Sequence, residues 1–201
     1  MTVFYLIRHA AHGLLGHRMA GRKPDVRLSR EGNAQAQQLA ERLASLPIRA
    51  ICASPLERAR DTAQPLADRL GIEVEIAEEL DELDFGKWTG RTLEELRDIP
   101  EWKLFNRFRS GTRIPGGELM PEAQGRIVGF LERTALEQAD AHVAVVSHSD
   151  IIKSALAYYL GVPLDLFQRI EVSPASVSVV ELQPWGPRVL AVNWTEHPTL
   201  A

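Results

Sequence analysis

Apolar and polar positions fall along this chain in blocks that switch between strand and helix periods. Val3-Phe4-Tyr5-Leu6-Ile7 is an unbroken apolar run that stops at Arg8-His9, the pattern of a strand buried on both faces and feeding a loop. Behind Ser29, an N-cap with Glu31 in the first turn, Ala36, Leu39, Ala40 and Leu43 recur at helical spacing. Ala50-Ile51-Cys52-Ala53 is a second short strand closed by Ser54-Pro55. Glu57 to Leu70 is a second helix stopped by Gly71, with Arg58 in its first turn. Glu73 to Ile76 alternates like a third strand, and Glu78 to Gly90 carries so many acids and glycines that it predicts a loop. Thr92-Leu93-Glu94-Glu95 has the capping-box spacing and starts a short helix, followed by an apolar stripe of Trp102, Phe105 and Phe108. Ser110 to Gly117 is a break and Glu122 to Glu137 a helix. His142 to Ser147 is a strongly apolar strand ending at His148, and Ile151 to Leu160 is a helix stopped by Gly161. Ser176 to Leu182 and Arg188 to Asn193, separated by Pro184-Trp185-Gly186-Pro187, predict a closing hairpin.

This order predicts an α/β fold, a three-layer α/β/α sandwich with a mainly parallel central sheet and antiparallel strands at one edge. In such sheets ligands bind outside the carboxyl ends of the strands, where the strand order reverses. Arg8-His9, Ser54 with Arg58, and His148 all follow strands and are expected to share that rim. The 201 residues show no repeat or linker, so one domain over residues 1–201 is expected.

Composition narrows the function. A formal net charge of -4 leaves no basic excess for a nucleic-acid backbone or an anionic membrane, so a small anionic substrate would need locally placed arginines. Cys52 is the only cysteine, which excludes an internal disulfide and a cysteine-based zinc site. In its apolar strand it reads as a small buried hydrophobe. No apolar run reaches membrane-spanning length, and the amino terminus lacks the layout of a secretion signal, so a cytoplasmic protein is expected.

Two imidazoles and two guanidiniums at one rim suit a phosphate monoester better than a peptide or glycosidic bond, because arginine forks match phosphate oxygens. A neutral His9 could attack phosphorus and divide one difficult displacement into two easier ones. Arg8 and Arg58 would keep that ring neutral and stabilise the charge on the equatorial oxygens. The leaving alkoxide needs a proton, and Glu78, Glu79, Asp81, Glu82 and Asp84 are all candidate donors between which composition does not choose.

Five ordered segments carry a family resemblance. They are Leu6-Ile7-Arg8-His9; Leu28-Ser29-Arg30-Glu31-Gly32 with Gln35-Ala36; Ser54-Pro55-Leu56-Glu57-Arg58-Ala59-Arg60-Asp61-Thr62-Ala63; Leu80 to Gly90; and Val146-Ser147-His148. Over nearly the whole chain they resemble the histidine phosphatase superfamily, in its phosphoglycerate-mutase-like branch. The resemblance implies a phosphorylated nucleophile at His9, a phosphate pocket of Arg8, Arg58 and His148, and a proton donor at Glu82. It implies no metal and no cofactor, and a small-molecule phosphate ester as partner. Pro115-Gly116-Gly117-Glu118 looks like the family's substrate-side loop, and the segment from Trp102 to Phe108 would shape the substrate pocket, which places Gly117 and Phe105 among its expected residues.

The chain also departs from the family pattern. Where R-H-G-x-T is usual, Ala10, Ala11 and His12 follow His9. A phosphate-reaching asparagine has no counterpart between Gly13 and Arg18, and the usual His-Gly becomes His148-Ser149. His12, His17 or Ser149 could supply substitute donors. His142 and His197 read as structural or exposed, and Arg60 as solvent-facing or paired along its helix. A phosphatase is expected over a mutase, because the family's mutases carry larger insertions and a carboxyl-terminal tail, whereas this chain ends soon after Trp194. A non-catalytic binder that kept the arginine pocket is the alternative of another class; hydrolysis of p-nitrophenyl phosphate that vanishes in His9→Ala separates the two.

Overall fold

The apolar run at the amino terminus needs cover on both faces, and the fold supplies it. In the computed structural model, which describes residues 1–195, strand β1 (Thr2–Arg8) lies inside a six-stranded sheet. Its companions are β2 (Ala50–Ala53), β3 (Val74–Ile76), β4 (His142–Ser147), β5 (Val177–Gln183) and β6 (Gly186–Trp194), in the order β3-β2-β4-β1-β5-β6. The pairs β1/β4, β2/β4 and β2/β3 are parallel, and β1/β5 and β5/β6 antiparallel. The sheet is therefore mainly parallel with an antiparallel edge. His197 lies outside the described residues.

Side-chain alternation along β1 divides the core in two. Val3, Tyr5 and Ile7 face α1 (Arg30–Leu43) and α2 (Glu57–Leu70), meeting Leu39, Leu43, Ala63 and Leu66. Phe4 and Leu6 face the other layer, built from α5 (Met120–Glu137) and α6 (Ser149–Leu160), meeting Ile127, Leu131, Ile152 and Ala155. Short helices α3 (Leu93–Arg97) and α4 (Pro100–Arg107) extend that second layer. Ser29 caps α1 by accepting from the Gly32 amide, and Gly71 ends α2 in the left-handed region at φ 66°.

Three stretches differ from expectation. The acidic segment from Glu78 to Gly90 is no plain loop: it holds 3-10 turns at Glu78–Leu80 and Gly86–Trp88 and buries Leu80, Leu83, Phe85 and Trp88. Leu164–Arg169 forms a further 3-10 turn that buries Phe167 and is too short to leave a periodic signature. The closing hairpin is tighter than its proline-rich spacer suggests, because β6 already begins at Gly186. Among the described residues no helix is long and apolar enough to cross a membrane.

Candidate active site

Three parallel strands end side by side and deliver their last residues to one rim. From β1 come Arg8 and His9, from β2 comes Ser54, and from β4 comes His148. The His9 amide donates to the Ser147 carbonyl (2.9 Å) and the Ser54 amide to the Val146 carbonyl (3.0 Å), so the sheet ladder continues into the site itself. The His9 ring lies 5.1 Å from that of His148 and 5.2 Å from that of His12, centre to centre.

Holding the loop after His9 in place falls to residues that carry little chemistry of their own. The Ala10 amide donates to Thr62 Oγ1 (2.9 Å), which in turn donates to the Arg58 carbonyl (2.7 Å). The Ala11 amide donates to Gln35 Oε1 (2.9 Å), and the Ala11 carbonyl accepts from the Ser29 amide (3.0 Å) and hydroxyl (3.3 Å). Gly32 lets the start of α1 approach so closely, since a Cβ there would lie 1.9 Å from the Ala11 oxygen. Ser29, Gly32, Gln35 and Thr62 thus earn their places in the ordered segments by holding one backbone turn.

Within that frame, His9 Nδ1 donates to the Ala10 carbonyl (2.8 Å). The neutral ring then carries its proton on Nδ1 and leaves the Nε2 lone pair free. Burial, followed by the charges of Arg58 and Arg8, holds His9 well below the usual imidazole range. Arg58 is 1% exposed; its Nη2 donates to the Gly21 carbonyl (2.7 Å), while Nε and Nη1 have no protein partner among the described residues. Arg8 Nη1 donates to the Val172 carbonyl (2.7 Å), and its Nε likewise has no partner there. Ser54 Oγ donates to Asp81 Oδ1 (3.3 Å) and lies 2.8 Å from His148 Nε2. His148 Nδ1 lies 3.8 Å from Glu82 Oε2. Burial, then Arg58, holds His148 well below the imidazole range too.

Glu82 stands across from these cations. Its Oε1 accepts from the Leu83 amide (2.9 Å). Burial, then the neighbouring carboxylate of Asp150, pushes it up to about 7, against the pull of Arg58 and Arg8. Asp81, by contrast, is engaged by Ser54 and by the Glu82 amide, and Glu79 reaches outward to Arg133, so of the five acids Glu82 alone enters the cavity.

That cavity, of about 230 Å³, is lined by Arg8, His9, His12, Arg58, Glu82 and Ser149, with Leu15, Met19, Phe85 and Leu93 as its apolar wall. His12 Nδ1 accepts from the Leu14 amide (3.2 Å), so a neutral ring carries its proton on Nε2 as a donor; burial, then Arg58 and Arg8, lowers it to about 4. Two expected pocket residues lie elsewhere. Phe105 is fully buried against Trp88 and Trp102, with the Arg109 guanidinium stacked over its ring at 4.4 Å; it packs inward as core, whereas Phe108 of the same stripe is exposed. Gly117 is pressed against the Asp84 carbonyl, where a Cβ would lie at 2.1 Å, and does not line the cavity. His17 is exposed and also outside it. Conversely, Arg18 and Asp150 line the cavity without having been singled out. The glycine spacing of Gly13, Gly16 and Gly21 after the first strand, and the position of Asp150 two residues past His148, were the available signals.

Known proteins match this geometry and this sequence. The model of the histidine phosphatase superfamily (branch 1) matches residues 4–195. A probable phosphoglycerate mutase of Enterobacter sp. (strain 638) is 32% identical, over 96% of this chain and 90% of its own. Phosphoserine phosphatase 1 of Hydrogenobacter thermophilus is 31% identical, over 98% of this chain and 94% of its own. Among solved structures, a phosphoserine phosphatase variant of Entamoeba histolytica in complex with phosphoserine superposes with a TM-score of 0.88 at 26% identity, over 99% and 100% of the two chains. With a match of this extent, this chain belongs to the histidine phosphatase superfamily (branch 1).

Proposed function

We propose that the chain hydrolyses small-molecule phosphate monoesters through a phosphohistidine on His9, with Glu82 as proton donor. The observation that carries this reading is the pinned Nδ1 proton of His9, which leaves Nε2 as a lone pair in the same cavity as partnerless guanidinium donors of Arg8 and Arg58. A phosphate dianion entering there would satisfy those donors. The His9 Nε2 lone pair attacks phosphorus in line, the bond to the ester oxygen breaks, and the Glu82 carboxyl hands its proton to that leaving oxygen. Glu82, now a carboxylate, takes a proton from water as the water oxygen attacks the phosphohistidine; inorganic phosphate leaves and His9 is restored. His148, whose ring lies 5.1 Å from that of His9, is the further group we propose to contact the phosphoryl oxygens, although it is fully buried and does not line the cavity itself.

A cavity of about 230 Å³ suits a small ester, and two of the proteins named are phosphoserine phosphatases, which supports small phosphorylated metabolites as the substrate class. The mutase among the relatives favours a second reading, in which the phosphoryl group returns to substrate rather than to water. One experiment tests both. The protein is incubated without metal with p-nitrophenyl phosphate and with a panel of phosphometabolites, and inorganic phosphate and ester isomers are measured. Phosphate release that His9→Ala abolishes supports hydrolysis, isomers without phosphate release support the mutase, and no turnover of any ester sinks the proposal.

A further inference from the structure

Glu82 sits on a segment whose main chain is gripped from behind by residues that take no part in the cavity. Arg126, on α5, aims Nη1 at the carbonyls of Glu79 (2.7 Å) and Asp81 (2.9 Å). Arg22 Nε donates to the carbonyl of Glu82 itself (2.8 Å). Glu118 Oε2 accepts from the Asp84 amide (2.9 Å), Arg22 Nη2 (2.9 Å) and Arg126 Nη2 (3.1 Å), and the Glu118 amide donates to the Asp84 carbonyl (3.1 Å). Arg22 Nε is also 3.3 Å from Asp81 Oδ2. Two guanidiniums therefore meet two carboxylates, and the cluster carries no net charge that would draw the proton off Glu82.

The contact between the two loops depends on Gly117. With a Cβ only 2.1 Å from the Asp84 oxygen, any side chain there would force the loops apart and carry Glu118 away. On the cavity side, by contrast, the Glu82 carboxyl accepts one hydrogen bond among the described residues, from the amide of its own neighbour Leu83, with His148 Nδ1 farther off at 3.8 Å. Its aim is therefore set by the main chain, and the main chain is set by the cluster. Hydrogen bonds from charged donors are about twice as strong as neutral ones, which suits them to this task.

We infer that Arg22, Glu118 and Arg126 are positioning residues for the proton donor, so that Pro115-Gly116-Gly117-Glu118 serves the leaving-group side from behind rather than by touching substrate. This rests on the assignment of Glu82 as the acid. The test compares kcat on p-nitrophenyl phosphate, whose leaving group departs as a stabilised anion, with kcat on phenyl phosphate, whose poorer leaving group needs the proton more. Glu82→Gln is expected to lose at least about fivefold more on phenyl phosphate than on the nitrophenyl ester. Glu118→Gln and Arg126→Met are expected to show a bias of the same sign, with KM for either ester moved by less than about twofold. Where Arg126→Met fails to fold, Arg126→Lys, which keeps the charge but reaches one carbonyl instead of two, is read by the same ratio. Equal losses on both esters in the cluster variants, beside a biased Glu82→Gln, overturn the positioning role alone. An unbiased Glu82→Gln overturns the acid assignment and the positioning role with it.

Discussion

At the scale of single residues, the site depends on groups that are kept in the protonation state opposite to habit. Glu82, pushed up to about 7, is the protonated form over the acidic half of the neutral range. Activity on an ester with a poor leaving group is expected to fall by about tenfold per pH unit above that value, since only the carboxyl can donate. Glu82→Gln should remove this basic limb and slow turnover by about two orders of magnitude or more; a pH profile of kcat on both enzymes checks it, and a limb that survives the substitution would count against Glu82. His12, by contrast, is held neutral with its proton on Nε2. It stands where the family pattern has a hydroxyl, and no asparagine follows. His12→Ala should therefore lower kcat/KM by about tenfold, the worth of one hydrogen bond to a charged oxygen, while His9 still becomes phosphorylated. Unchanged kinetics would remove His12 from the substrate contacts.

At the scale of elements, the legible parts were those with a local reason to look as they do. Ser29 caps a helix, Gly71 and Gly161 end helices in the left-handed region, and β1 and β4 are apolar throughout because both faces are covered. The site residues that follow strands were legible for the same reason. Phe105 and Gly117 were misplaced because their surroundings come from far along the chain. Whether an aromatic stripe faces a pocket or a core depends here on Trp88 and Arg109, and whether a Gly-Gly pair touches substrate depends on Asp84. Arg22 and Arg126 carry no local mark at all, since binding to a distant carbonyl leaves no pattern in sequence. One element-level prediction follows from Gly32. Replacing it with alanine places a methyl 1.9 Å from the Ala11 oxygen, so α1 or the turn after His9 must move. Urea unfolding of Gly32→Ala should show a loss of about 1–3 kcal/mol, with a larger fractional loss in kcat than in binding because the displaced turn directly follows His9, the proposed nucleophile.

At the scale of the whole molecule, the buried imidazoles tie stability to pH. His9 and His148 have folded values well below the ordinary 6.5. Their contribution is complete above about pH 6.5 and is lost as the pH falls toward the folded values, because the unfolded chain then binds protons that the folded one refuses. Both rings therefore cost the folded state stability as the pH falls from 7 to 5. Glu82 acts the other way, since its raised value favours the folded state on acidification and opposes part of that loss. Urea midpoints should therefore drop between pH 7 and pH 5, and His148→Ala should flatten that dependence; equal slopes would show that these rings are not the source.

The groups that would grip the phosphoryl come from the end of β1 and from the first turn of α2, just after β2, whereas the apolar wall of the cavity comes from the Leu15–Met19 stretch and from Phe85 and Leu93, outside every strand. A fold divided in this way separates the reaction from the choice of molecule. Exchanging the wall segments with those of another member of the superfamily should transfer preference among metabolites without disturbing the attack itself, so descendants of one scaffold can change diet by altering a few loops.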